Sequence, residues 1–190
     1  MAVEKERPTP MYADKTLTPK EAVRLCALGT LAGEPMRYGA LASAIRHFVS
    51  HVTGPSLDVL GISVELLKYE GLVEAVDGVG MTDDALIAIT QDGRAELRTL
   101  LTANVRSQAS EMNKLIVALK FRFLHLLDGA DQRLQADILI EAAENELARL
   151  DELRRHHAGE QGHLGEWLDY DIGEGESRLA WLRGFRARLG

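Results

Sequence analysis

With 190 residues, 46% of them apolar, the chain is long and apolar enough to bury a core, which excludes disorder throughout. Aromatic residues make up 5%, and an apolar set dominated by leucine and alanine favours helices packed through aliphatic stripes over a β-sandwich. The net charge of -7 argues against a broadly basic, phosphate-coating surface but leaves room for a local basic patch.

Residues 1–17 mix Pro, Lys, Glu and Thr without periodicity and read as a flexible arm. The start, MAVEKERPTPMYADK, has no apolar stretch of signal-peptide length, and no segment approaches the roughly 18 apolar residues of a membrane span, so the expected location is the cytoplasm. Thr18, Pro19 and Glu21 occupy N-cap, N1 and N3 of a capping box. A helix follows to about Ala32 through Ala22, Leu25, Cys26, Leu28 and Leu31, ended by Gly33 and Pro35. A second helix is expected from Tyr38 to Val52, stopped by Thr53, Gly54 and Pro55. Ser56 caps a third, which runs to Glu70 on Leu57, Leu60, Val64 and Leu67, with Gly71 as its stop. Leu72 to Val76 and Ala85 to Thr90, around a turn with Asp77, Gly78 and Gly80, read as a β-hairpin. Three helices and a hairpin make a winged helix-turn-helix with a two-stranded wing, and a fourth helix leads out of it to about Val105.

Beyond a boundary near residue 106 the pattern changes to long helices, read as a C-terminal helical dimerisation domain over 107–190, the winged-helix domain being 18–106. One helix is marked by Met112, Leu115, Ile116, Leu119, Phe123 and Leu126, with Val117, Phe121, Leu124 and Leu127 on its other faces. Within it Lys120 and Arg122 read as snorkelling cations. The next, about Asp131 to His157, has a stripe of Ala136, Leu139, Ile140, Ala143, Leu147 and Leu150. In the last, Leu168, Ile172, Gly175, Leu179, Leu182 and Leu189 form a coiled-coil-like seam with Trp181 and Phe185 beside it, and this seam is the candidate dimer interface. Gly173 and Gly175 each weaken that helix by about 1 kcal/mol, so it is expected to begin late or bend there.

No catalytic constellation stands out. There is no Gly-x-Ser-x-Gly elbow, and the single cysteine, Cys26, has an apolar setting that raises its pKa. His47 and His51 are spaced for one helix face, but no Glu follows His47 as a zinc-protease motif requires. His156, His157 and His163 read as a polar helix end. The expectation is a protein with no cofactor or metal and no enzymatic activity.

LAGEPMRYGALASAI (31–45), LLKYEGLVEA (66–75) with ITQDGRAELRTLL (89–101), and ESRLAWLRGFRARL (176–189) resemble the PadR family of bacterial transcriptional regulators. The resemblance implies a homodimer held by the C-terminal helices with help from the first helix. It further implies a DNA-binding repressor that responds to small aromatic or drug-like compounds. It puts Trp181 on the aromatic position of the last helix. Where the family carries Tyr and Arg on its recognition helix, this chain has Ile62, Glu65 and Leu66. Asp58 and Glu65 repel phosphate and Lys68 attracts it, while the wing turn carries Asp77, Asp83 and Asp84. The candidate DNA contacts are Arg37, Tyr38, Arg46, Ser56, Ser63 and Lys68, with Lys5, Arg7, Lys15 and Lys20 on or near the arm as further cations. The alternative is a winged-helix dimer that has lost specific DNA binding and serves as a protein-interaction adaptor. A small-molecule sensor using a cavity near Trp167 or Trp181 is compatible with either.

Overall fold

The computed structural model describes residues 16–54, 64–76, 84–106 and 110–190. The first helix, α1 (Pro19–Leu31), starts where its capping box places it. Glu21 N donates to Thr18 Oγ1 at 3.3 Å and Thr18 N donates to Glu21 Oε2 at 2.7 Å, so two amides left over by the helix start are satisfied reciprocally. The described residues begin at Thr16, inside the segment expected as an arm, the rest of which lies outside them. Thr16 forms a parallel bridge with Asn104, its hydroxyl accepts from Arg106 Nε at 2.9 Å, and Leu17 is buried.

A short strand, β1 (Met36–Arg37), precedes α2 (Tyr38–Thr53). After α3 (Val64–Tyr69) come β2 (Val73–Ala75) and β3 (Leu86–Ile89), then α4 (Gln91–Leu101). The wing is not the expected two-stranded hairpin alone. Among the described residues the sheet has the order β1-β3-β2, antiparallel throughout, with Arg37 opposite Leu86 and Val73 opposite Ile89. The N-terminal part of the expected third helix, including Ser56, Asp58, Leu60 and Ile62, lies outside the described residues, as do Asp77, Gly78 and Gly80 of the wing turn.

The passage from wing to α4 explains the TQDG segment. Thr90 caps α4 by accepting from Gly93 N at 3.0 Å, while its hydroxyl donates to Gly71 O at 2.7 Å and its amide donates to Leu72 O at 3.1 Å. A Cβ on Gly93 would stand 2.1 Å from that same Leu72 carbonyl oxygen. Gly71, at φ +73°, supplies the left-handed turn that lets α3 stop and β2 begin.

α1 is the central helix. Its Leu25, Cys26, Leu28 and Leu31 are buried, and it packs against α2, α4, β3 and α5 (Glu111–Phe123). Each such leucine contributes roughly 2 kcal/mol through apolar burial. Gly29 lets α5 come close: a Cβ there would lie 2.6 Å from the Phe123 ring. Leu115, Ile116, Leu119 and Phe123 of α5 share one core with α1 and α2, so the apolar core runs across the boundary expected near residue 106.

A one-turn 3-10 segment (Leu124–Leu126) leads to α6 (Gly129–His156) and α7 (Leu164–Arg188), which form a helical hairpin. Leu139 and Ala143 of α6 meet Leu179 and Leu182 of α7. Arg154–Asp169 (2.7 Å), Arg183–Glu144 (2.7 Å) and Arg186–Asp137 (2.8 Å) lace the edges. α7 begins earlier than the sequence suggested and stays helical through Gly173 and Gly175. At Gly175 a Cβ would reach 2.7 Å from Leu147 Cδ2, so the missing side chain serves the packing of α7 on α6. No described helix is long and apolar enough to cross a membrane.

The expectation that Lys120 snorkels is overturned. Lys120 is 1% exposed, and its Nζ donates to Leu101 O, Ala103 O and Gln135 Oε1, each at 2.6 Å. Desolvation pushes its pKa down to about 8, which leaves it an ammonium with three protons for three acceptors at neutral pH. Arg122 is half-buried instead, its guanidinium 4.5 Å from the Phe48 ring and 4.9 Å from the Phe123 ring. It donates to Cys26 Sγ at 3.8 Å, but burial outweighs this neighbour and pushes the thiol up to about 11.

Gly29→Ala is expected to lower stability by about 2 kcal/mol, because Phe123 can partly yield. Gly93→Ala should cost more, since the Leu72 carbonyl belongs to the backbone. Urea-unfolding midpoints of the two variants check the order; an unchanged Gly93→Ala midpoint would contradict the packing described.

Candidate nucleic-acid interface

The candidate surface is built on the start of α2, the exposed side of α3 and the base of the wing. Arg37 holds two of these together. Its backbone pairs with β3, its Nη1 donates to the Asp84 carbonyl, and its side chain is exposed. Tyr38 follows as the first residue of α2, its amide donating to Ala85 O at 2.9 Å and its side chain half-buried against the core. Tyr38 therefore fixes the wing to α2 as well as facing outward in part.

Arg46 is exposed on α2, next to Ile45, which faces the core. Lys68 is exposed on α3. Ser56 and Ser63 lie outside the described residues, as do Lys5, Arg7, Lys15 and Asp83. The structure thus brings Arg37, Tyr38 and the wing base together and places Arg46 and Lys68 on separate helices.

α3 is anchored by Leu67, which is fully buried. Among the described residues of α3, this anchor sets the phase of the helix. Tyr69, two positions on and so about 200° away around the axis, is 90% exposed, and Leu66 is 43% exposed. Neither was singled out as a contact from the sequence, although the helical phase from Leu67 carries the signal for Tyr69. Glu65 is also exposed, so its carboxylate remains a repulsive element for phosphate.

Glu70 is different. Arg24 of α1 bridges it at 2.7 Å and also reaches Glu96 of α4 at 3.1 Å, all three side chains being partly buried. One guanidinium therefore ties the end of α3 to α1 and α4 and neutralises part of the acidic charge beside the interface.

The residues expected at a dimer interface fall into two groups. Leu168, Leu179 and Leu182 are buried within the chain, so the seam on α7 is already occupied in good part by α6. Ile172 and Leu189 are half-buried. Trp181 is 53% exposed, stacked on the half-buried Phe185 at 5.7 Å between ring centroids and edge-on to Phe121 at 5.2 Å. Further along the hairpin Leu153, Leu164, Trp167 and Tyr170 are exposed.

His47 and His51 stack at 4.1 Å, and His51 Nδ1 lies 2.7 Å from the His47 carbonyl oxygen, which commits that nitrogen as a donor to the backbone. His157 and His163 pair with Glu160 and Glu166 at the hairpin tip. No group of three or more His, Cys, Asp or Glu side chains among the described residues is arranged to hold a metal ion.

Residues 12–186 match the family model described as "Putative AphA-like transcriptional regulator". Crystal structures of Bacillus subtilis PadR are similar to this chain. The complex with p-coumaric acid is 14% identical, covers 92% of this chain and 98% of that one, and has a TM-score of 0.35. The complex with operator DNA is 15% identical, covers 88% and 99%, and has a TM-score of 0.35. No curated protein matches the chain. With the model spanning nearly all of the described structure, the chain belongs to the AphA-like family of transcriptional regulators, a PadR-like winged-helix family.

Proposed function

We propose that this protein is a homodimeric repressor that binds a pseudo-palindromic duplex-DNA site through α3, the start of α2 and the wing. The observation that carries the reading is the set of α3: buried Leu67 anchors it, and Leu66, Lys68 and Tyr69 project from the surface beside a wing fastened through Arg37. Arg37, Arg46 and Lys68 supply charge for phosphates. Tyr69 and Leu66 supply an aromatic ring and an apolar side chain for the groove, and the apolar one suits contact with thymine methyl groups. Ser56 and Ser63 complete the proposed contact set at the N-terminal side of α3. The half-exposed Trp181 on its Phe121–Phe185 platform is the place proposed for a planar aromatic ligand that tunes affinity.

The dimer is proposed to form through the α6–α7 hairpin. Leu153, Leu164, Trp167 and Tyr170 leave an exposed apolar stretch on its distal half, beyond the part covered by the rest of the chain. A second copy of the hairpin buries that stretch across a two-fold axis, with Trp181, on the same side of α7, continuing the contact. A second reading, a protein-docking adaptor, is favoured by Glu65 beside Tyr69 on α3, since acidic and aromatic side chains together suit a basic protein surface.

Combining Arg46→Ala with Lys68→Ala removes two phosphate contacts without disturbing the Arg37 anchor. Operator affinity should fall at least tenfold, and the slope of log affinity against log salt should flatten by about 2. An unchanged affinity would move the interface elsewhere. For the dimer, Trp167→Asp with Tyr170→Asp should convert the protein to monomers in sedimentation velocity, with helical circular dichroism retained; a dimer of unaltered stability would exclude this face.

A further inference from the structure

We infer that Lys120 is a coupling residue, the joint through which the position of the α6–α7 hairpin is passed to the winged-helix unit. This goes beyond the DNA-binding reading and does not require it.

Three elements meet at one ammonium. Lys120 projects from α5, two of its acceptors are the carbonyls of Leu101 and Ala103 at the end of α4, and the third is Gln135 Oε1 on α6. α4 is the helix that leaves the wing through Thr90 and packs on α1, so the Leu101 end of α4 is one rigid helix away from the wing junction. Carbonyls at a helix C-terminus carry the negative end of the helix dipole, which makes this end of α4 a fitting seat for a buried cation. Lys120 and Gln135 are both almost wholly removed from solvent, so water cannot replace any of these bonds without opening the core.

Gln135 places two opposed demands on the joint. Its oxygen is committed to the ammonium, and its buried Nε2 finds no acceptor among the described residues. Rotating the amide would aim its NH2 at a cation, so the orientation is fixed by Lys120. An unpaired buried donor is costly, and a small displacement of α6 that brought Nε2 to a carbonyl would recover that cost while lengthening the bond to Lys120. Such opposed demands make a packed joint bistable rather than softly deformable. A second tie between α4 and α6 joins Arg98 to Asp128 (3.1 Å) and Asp131; Arg98 and Asp128 are exposed, so this tie is weakened by salt. The buried joint is the one that persists at physiological ionic strength.

The test is the distance between nitroxides on α4 and α6, at the exposed positions Ala95→Cys and Ala148→Cys, measured by pulsed dipolar spectroscopy on the full chain. Spin-labelled protein is diluted with unlabelled protein so that pairs within one chain dominate. The buried native thiol of Cys26, with its raised pKa, does not compete for label. Gln135→Ala should shift or broaden the distribution by about 2 Å or more, the size of interhelical displacements in switching proteins. Gln135→Glu, which keeps an oxygen for the ammonium, should retain the parent distribution, and circular dichroism should be unaltered in both. A parent-like distribution for Gln135→Ala would overturn the inference. So would equal broadening in both variants, which would show a merely structural position. The readout contains no DNA, so its failure is separate from failure of the DNA-binding reading.

Discussion

The structure depends on how closely α1 and α5 approach. At Gly29 the space a side chain would fill is taken by the Phe123 ring, and that contact lets α5 join the core that α1 shares with α2, α4 and β3. With α5 seated, Lys120 falls at the end of α4 and Gln135 of α6 falls on Lys120. The hairpin that follows is thus fixed to the winged-helix unit by packing and by a buried charge. One apolar cluster accordingly includes described residues on both sides of the boundary expected near 106, with a second between α6 and α7.

The candidate interface follows from a similar economy of anchors. α3 needs Leu67 to hold it, Gly71 to end it and Arg24 to fasten Glu70, which leaves Leu66, Lys68 and Tyr69 exposed. The wing needs β1 to widen it and Arg37 to clasp Asp84. The Arg24 fastening also alters charge. Glu70 is spent on Arg24, so the end of α3 is less acidic than a count of its residues suggests. That is how a chain of net charge -7 can still present a surface with local cations.

Much of this was legible in the residues because the relevant signals are local. The capping box at Thr18 and the stop at Gly71 each involve partners within a few positions, and the helical periods around them are long. What was not legible depends on distant partners. Lys120 in an apolar run reads as a snorkelling cation unless Leu101, Ala103 and Gln135 are known to converge on it. Gly175 reads as a helix weakness until Leu147 is seen against it. The leucine seam of α7 asks for a partner helix, and sequence alone does not say that α6 of the same chain supplies much of it. β1 spans Met36–Arg37, too short to show alternation. At the candidate site Lys68 was found by its charge, whereas Tyr69 needed the phase that Leu67 gives to α3.

The central claim is that a winged-helix surface with mixed charge reads DNA. It is tested most directly by fluorescence-anisotropy titration of the purified full chain against its own promoter region and a scrambled duplex, at about 50 and 200 mM salt. The account predicts tight binding selective for the promoter, with selectivity kept as salt weakens both affinities. Equal binding to the two duplexes, or none at either salt by an intact protein, would contradict it.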